Sequence, residues 1–159
     1  MAEIKNVAVV TRSSHERQAL EPFEEVLRRY RLQGFSKQRL DNRIVLRASG
    51  YFQFGDLRVN TETRHIIIEV DHGGVTNLVK YWYCLKKGLI KNPIVLIHLY
   101  RKNTEGDYAS HIELWEFLKK QMGRKLDDRF TAEIFTYHPD RIRENLADAV
   151  NLFERLLLS

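Results

Sequence analysis

Asp56, Glu69 and Asp71 are the residues of this 159-residue chain whose types and spacing point most directly to chemistry. Glu69 and Asp71 close the run Arg64-His65-Ile66-Ile67-Ile68-Glu69-Val70-Asp71. Side chains alternate across a strand, so these carboxylates project to one side at the strand's carboxyl end. Asp56 lies upstream in FQFGDLRVN, a second strand-like run. The short polar turn Asn60-Thr61-Glu62-Thr63 lets the two runs pair as a hairpin, which brings Asp56 beside Glu69. Carboxylates crowded at one spot repel each other unless a proton or a divalent cation intervenes. The cluster therefore reads as a metal site.

The elements that must position it follow from periodicity. Ile66-Ile67-Ile68 shows no alternation, the mark of a strand covered on both faces, and belongs at the centre of a sheet. Val7 to Val10 is short enough to be a strand or only an arm. Ser13-Ser14-His15-Glu16 is a capping-box signature before a helix carrying Ala19, Leu20, Phe23, Val26, Leu27 and Tyr30. Pro22 places the regular helix nearer Glu21, and Gly34 ends it. Arg43–Ala48, Tyr51–Val59 and the Ile66 run then follow as three strands without interruption, an antiparallel meander. His72-Gly73-Gly74 turns into a helix over roughly Thr76 to Lys87. Ile94–Tyr100 is a strand, parallel to the Ile66 strand because a helix crosses between them. After a polar loop from Arg101 to Ala109, Ser110-x-x-Glu113 opens a helix with Leu114, Trp115, Leu118 and Met122 inside, ended by Gly123. Phe130–Tyr137 is the last strand. Asp140 begins a final amphipathic helix that either covers the sheet or supports a homodimer or larger complex.

Gly55-Asp56 followed by Glu69-Val70-Asp71 at the end of an Ile-rich strand resembles the PD-(D/E)xK nuclease superfamily, the fold of many restriction enzymes, Holliday-junction resolvases and RecB-type nucleases. The resemblance implies an α/β, restriction endonuclease-like fold: a central mixed β-sheet flanked by helices, ordered α-β-β-β-α-β-α-β-α, as a single domain over residues 1–159. Asp56 stands where the family's first metal-binding aspartate falls, and Glu69 where the Asp/Glu of the second half-motif falls. Asp71 departs from the pattern: the family usually has a lysine there to orient and activate water, although some members carry an acidic or amide residue. Lys80, early in the next helix, would supply the missing cation, as migrated lysines do in the family. Asn77 and Tyr81 are similar to the QxxxY motif of the RecB-like branch, with Asn in place of Gln. The family often sends a glutamate from its first helix to the metal. Glu16, on the apolar stripe, and Glu24, at its edge, are the candidates, and Glu24 is preferred because Glu16 serves the helix cap.

The implied activity is metal-dependent DNA endonuclease, with Mg²⁺ or Mn²⁺ held by Asp56, Glu69, the Val70 carbonyl and Glu24. Asp71 or Lys80 would orient or deprotonate the attacking water, and Arg43, Arg47, Arg58, Asn77 and Tyr81 would contact the DNA. The alternative is a nuclease-fold module that no longer cleaves and binds nucleic acid or a protein partner. A third reading makes it an unrelated α/β protein with surface carboxylates. His72 is either a base or ligand, or an ordinary loop histidine.

Composition narrows the field. The net charge is +5, and Arg28, Arg29, Arg31, Lys37, Arg39, Arg43 and Arg47 outweigh Asp41 in one stretch, which suits either a polyanion or a solvated helix end. Cys84 is the only cysteine, so disulfide frameworks and thiolate zinc sites are excluded. Neither G-x-G-x-x-G nor Walker A spacing occurs. With no signal peptide and no run long enough to span a bilayer, the expectation is a soluble, cytoplasmic protein without membrane contact.

Overall fold

In chain order the elements are β1 (Ile4–Val9), α1 (Ser14–Arg29), β2 (Phe35–Ser36), β3 (Arg43–Val45), β4 (Tyr51–Gln53), β5 (Leu57–Thr61), β6 (His65–Asp71) and α2 (Thr76–Lys86), followed by β7 (Ile94–Arg101), α3 (Ala109–Leu126), β8 (Phe130–Tyr137), α4 (Ile142–Asn145) and α5 (Ala147–Leu158). The structure, a computed structural model, describes residues 3–9, 14–31, 35–36, 42–46, 50–102 and 109–159. Ser13, Gly34, Lys37, Arg39, Arg47 and most of the 101–109 loop, all singled out above, lie outside these residues.

The protein is an α/β unit with a mixed central sheet flanked by helices. Strand order is β2-β1-β5-β6-β7-β8. β1 pairs antiparallel with β5, β5 antiparallel with β6, and β6-β7-β8 run parallel, with α2 and α3 as the crossovers. Ile66, Ile67 and Ile68 are fully buried. Alternation sends Ile66 and Ile68 into a core formed with α1 and α5, and Ile67 into one formed with α2 and α3. Among the described residues no helix is long and apolar enough to cross a membrane.

The expected element order requires correction. A strand, β1, precedes the first helix and joins the sheet, and β2 follows that helix. The Tyr51–Val59 run is two strands, and β3 and β4 make a separate two-stranded sheet, so the three-strand meander does not form. Gly55 is the reason. Its φ is +86°, and a Cβ there would stand 2.6 Å from Ile67 Cγ2. The chain turns between β4 and β5 while pressed against β6, a conformation and a proximity only glycine accepts.

Two further boundaries move for one cause, burial on either side of a breaker. α1 runs straight through Pro22, because Ala19, Leu20, Phe23, Val26 and Leu27 are all buried along one face. α3 continues past Gly123 to Leu126, since Met122 and Leu126 are both buried and hold the last turn down. Leu114, expected inside, is exposed.

Candidate functional site

The hairpin register sets the site. Leu57 pairs with Ile68, so Asp56 falls opposite Glu69. The Asp56 N–H donates to the Ile68 carbonyl at 3.0 Å, and the Val70 N–H donates back to Asp56 Oδ2 at 2.8 Å. Gln53 Nε2 donates to Oδ1 at 2.9 Å. Asp56 is thus fastened to the backbone of the strand that carries Glu69. It is only 4 % exposed. Burial, and then the Glu69 charge, push its carboxyl well above the usual range.

Glu69 is equally buried. Lys80 Nζ donates to its Oε1 at 2.7 Å and to the Gln53 carbonyl at 2.9 Å, and the Tyr81 hydroxyl closes on the same Oε1. Burial, with Glu69 beside it, raises the Tyr81 hydroxyl well above its usual range, so it serves as a donor. Both partners come from α2, whose Leu78, Tyr81, Cys84 and Leu85 face the core. The buried Cys84 thiol, pushed up to about 11 by burial, is no nucleophile at neutral pH.

Asp71 completes one wall. Its Oδ1 accepts from the His72 N–H at 2.8 Å and its Oδ2 from Asn77 Nδ2 at 3.3 Å, with His98 Nε2 at 3.6 Å. A cleft of about 330 Å³ opens over these groups, lined by Glu16, Gln53, Asp56, Glu69, Val70, Asp71, His72, Gly73, Thr76, Asn77 and Lys80. At its rim His15 stacks on His72 with ring centroids 5.2 Å apart, and His15 Nε2 meets the Tyr137 hydroxyl at 2.8 Å. Burial first, then Arg101 and His72, lower the His15 pKa.

The structure therefore gathers Asp56, Glu69, Val70, Asp71, Asn77 and Lys80 at one cleft. Other expected residues sit elsewhere. Glu24 is not among the lining residues and lies 3.8 Å from Arg28, whereas Glu16 lines the cleft. At 1.5 Å rise per residue these glutamates are about 12 Å apart along the helix, so only one of them can serve a given site. Tyr81 is fully buried behind Glu69 and offers no face to a base. Arg58 is 5 % exposed, with its guanidinium 4.1 Å above the Phe54 ring, and is not a surface contact. Arg43 lies 4.0 Å over the Tyr51 ring on the small sheet. Arg47 is outside the described residues. Within the basic stretch, Arg28 pairs with Glu21 at 2.6 Å and Arg29 with Glu154 at 2.9 Å. Sequence reasoning missed Gln53 and His98. Gln53 carried no motif, and His98 lay inside an apolar run.

Among the described residues no three His, Cys, Asp or Glu side chains gather closely enough to enclose an ion. Mg²⁺ does not need that, because it keeps several waters and takes one or two carboxylates plus substrate phosphates. Asp56 and Glu69 provide two hard oxygen donors, and Asp56 is a buried carboxyl whose ionised form has no cation of its own within hydrogen-bond reach among the contacts described above. The donor set fits a hard divalent cation. In comparisons with known proteins, no family model, no curated protein and no solved structure matches this chain.

Proposed function

We propose that this chain is a metal-dependent DNA endonuclease of restriction endonuclease-like, PD-(D/E)xK type. The observation that carries the reading is the meeting of Asp56, Glu69 and Lys80 at one cleft, with Lys80 reaching from α2 to Glu69. It supports the proposal because the lysine absent from position 71 has a substitute of the right charge within the site.

Asp56 and Glu69 would hold Mg²⁺ or Mn²⁺, with the Val70 carbonyl and Glu16 as further oxygen donors. The bound ion would lower the pKa of water and neutralise charge developing on the scissile phosphate. Lys80 has three ammonium protons and commits two, to Glu69 and Gln53. The third remains for the attacking water or a phosphate oxygen. Asp71, whose carboxylate accepts from the His72 N–H and Asn77, would take the proton that water releases. Arg43 on the small sheet, and the exposed Lys102 just past β7, would add positive charge for a phosphate backbone, which positions a duplex without reading its sequence.

A second reading has its own support. Lys80 already offsets the Glu69 charge internally, a contact that a non-cleaving module binding nucleic acid or protein would also keep. Titration calorimetry with Mn²⁺ and Mg²⁺, run beside cleavage assays on supercoiled, linear duplex and single-stranded DNA, separates the two. Metal uptake with cleavage, both lost in Asp56→Ala and Glu69→Ala, supports the nuclease. DNA binding with neither uptake nor cleavage overturns it in favour of the module.

A further inference from the structure

His98 is wholly buried on β7, between Trp115 of α3 and Asp71 of β6. Its Nδ1 accepts the Trp115 indole N–H at 2.9 Å. An indole N–H only donates, so Nδ1 must present a lone pair and the ring proton must sit on Nε2. Nε2 has no hydrogen-bond partner, and the atom it faces is Asp71 Oδ2, 3.6 Å away. That is an aimed donor with its bond not yet made. A buried polar group in this condition calls for a physical account.

Which partner moves is decided by packing. The His98 ring is held edge-on to Tyr100, with centroids 4.6 Å apart, and has no exposed surface. The Asp71 side chain is 27 % exposed and borders the cleft. A small rotation of the carboxylate to about 3 Å completes the bond. A carboxylate has roughly four lone-pair sites, so bonds from the His72 N–H, Asn77 and His98 leave one uncommitted on a residue that lines the cleft.

We infer that His98 is a positioning residue for Asp71: Trp115 fixes its imidazole with the proton on Nε2, and that N–H anchors Oδ2 so that the free lone pair of Asp71 points at the attacking water. The inference rests on the nuclease reading for what Asp71 does, but not for where the His98 proton lies. A residue that orients a group in the site typically changes rate or affinity by about 10- to 100-fold when lost.

Two measurements test it. Long-range ¹H–¹⁵N correlation spectra of the whole ¹⁵N-labelled protein, with His98 assigned by the signal missing from His98→Phe, show which ring nitrogen carries hydrogen. Protonated Nε2 and bare Nδ1 are expected, and a proton on Nδ1 overturns the inference. In Mg²⁺-dependent plasmid nicking, His98→Phe is expected to lower kcat by about 10- to 100-fold with KM little changed. His98→Gln, whose amide nitrogen reaches the Nε2 position, recovers part of that loss. In an Asp71→Asn background His98→Phe has no further effect, because its role passes through Asp71. A loss of the same size in that background overturns the inference. If His98→Phe fails to fold, the Gln variant identifies the His98 signal, and the wild-type spectrum decides. If the wild-type protein does not nick DNA, the nuclease reading falls, and the spectrum still shows which nitrogen of His98 holds the proton.

Discussion

The Val70 main-chain N–H donates to Asp56 Oδ2 across 2.8 Å, so a buried carboxylate is tied to the backbone of the neighbouring strand rather than to a cation. Because burial and Glu69 raise the Asp56 pKa, ionising it costs stability. The metal-free protein keeps this contribution at low pH, below the unfolded-state value, and loses it as pH rises through the raised one. Asp56→Asn keeps an acceptor for Val70 and removes the titration. Thermal melts of the metal-free protein should show the variant more stable at neutral pH by about 0.5–2 kcal/mol, while calorimetry shows no Mg²⁺ uptake.

Lys80→Met tests the substitute lysine. The pair with Glu69 has side chains only 9 % and 5 % exposed, and removing one partner leaves a buried charge. A stability loss of about 3 kcal/mol is expected in denaturant titrations. Cleavage at saturating Mg²⁺ should fall by about 100-fold or more, the scale of losing an aimed electrostatic donor.

The two α1 glutamates give a paired comparison. Glu16→Gln should weaken Mn²⁺ binding by about tenfold, as loss of a charged group lining the cleft does. Glu24→Gln, remote from the cleft and beside Arg28, should leave Mn²⁺ affinity unchanged. Calorimetry on both variants distinguishes them, and the reverse ranking would return the ligand to position 24.

His65 sets an acid limit. Burial, with Arg58 nearby, lowers its pKa to about 4, and its Nδ1 lies 2.6 Å from Asn60 Oδ1. A lowered histidine favours the fold above its unfolded value of 6.5 and loses that contribution as pH falls toward about 4. Melting temperature should drop across that window, and His65→Gln should flatten the slope.

Gly55→Ala places a methyl 2.6 Å from Ile67 Cγ2 at a positive φ. A non-glycine residue held there costs about 1–3 kcal/mol before the contact is counted. Since Gly55 immediately precedes Asp56, the variant should lose cleavage as well as melting temperature.

The centre of the fold was legible because Ile66-Ile67-Ile68 has one physical explanation, a strand with apolar matter on both sides. The meeting of Asp56 and Glu69 followed from a short polar turn and a period of two. Depth was not legible. Arg58 and Tyr81 fall on the correct faces, yet periodicity assigns a direction and not a distance from solvent, and both are buried. Glu16 and Glu24 occupy neighbouring positions on a helical wheel, which discards displacement along the axis. Pro22 and Gly123 looked like stops because local rules know nothing of the packed residues beyond them. His98 was hidden by its apolar neighbours Ile97 and Leu99.

Glu69 and Asp71 hang from the strand whose three isoleucines are wedged between two cores. The acidic wall of the cleft therefore inherits the stiffness of the deepest segment, and its amides belong with the slowest to exchange for deuterium. The facing rim turns through Gly73 and Gly74 at φ +143° and +87°, and is held instead by hydrogen bonds, the Gly74 N–H donating to His111 Nδ1 at 3.0 Å and the Gly74 carbonyl accepting from the Tyr100 hydroxyl.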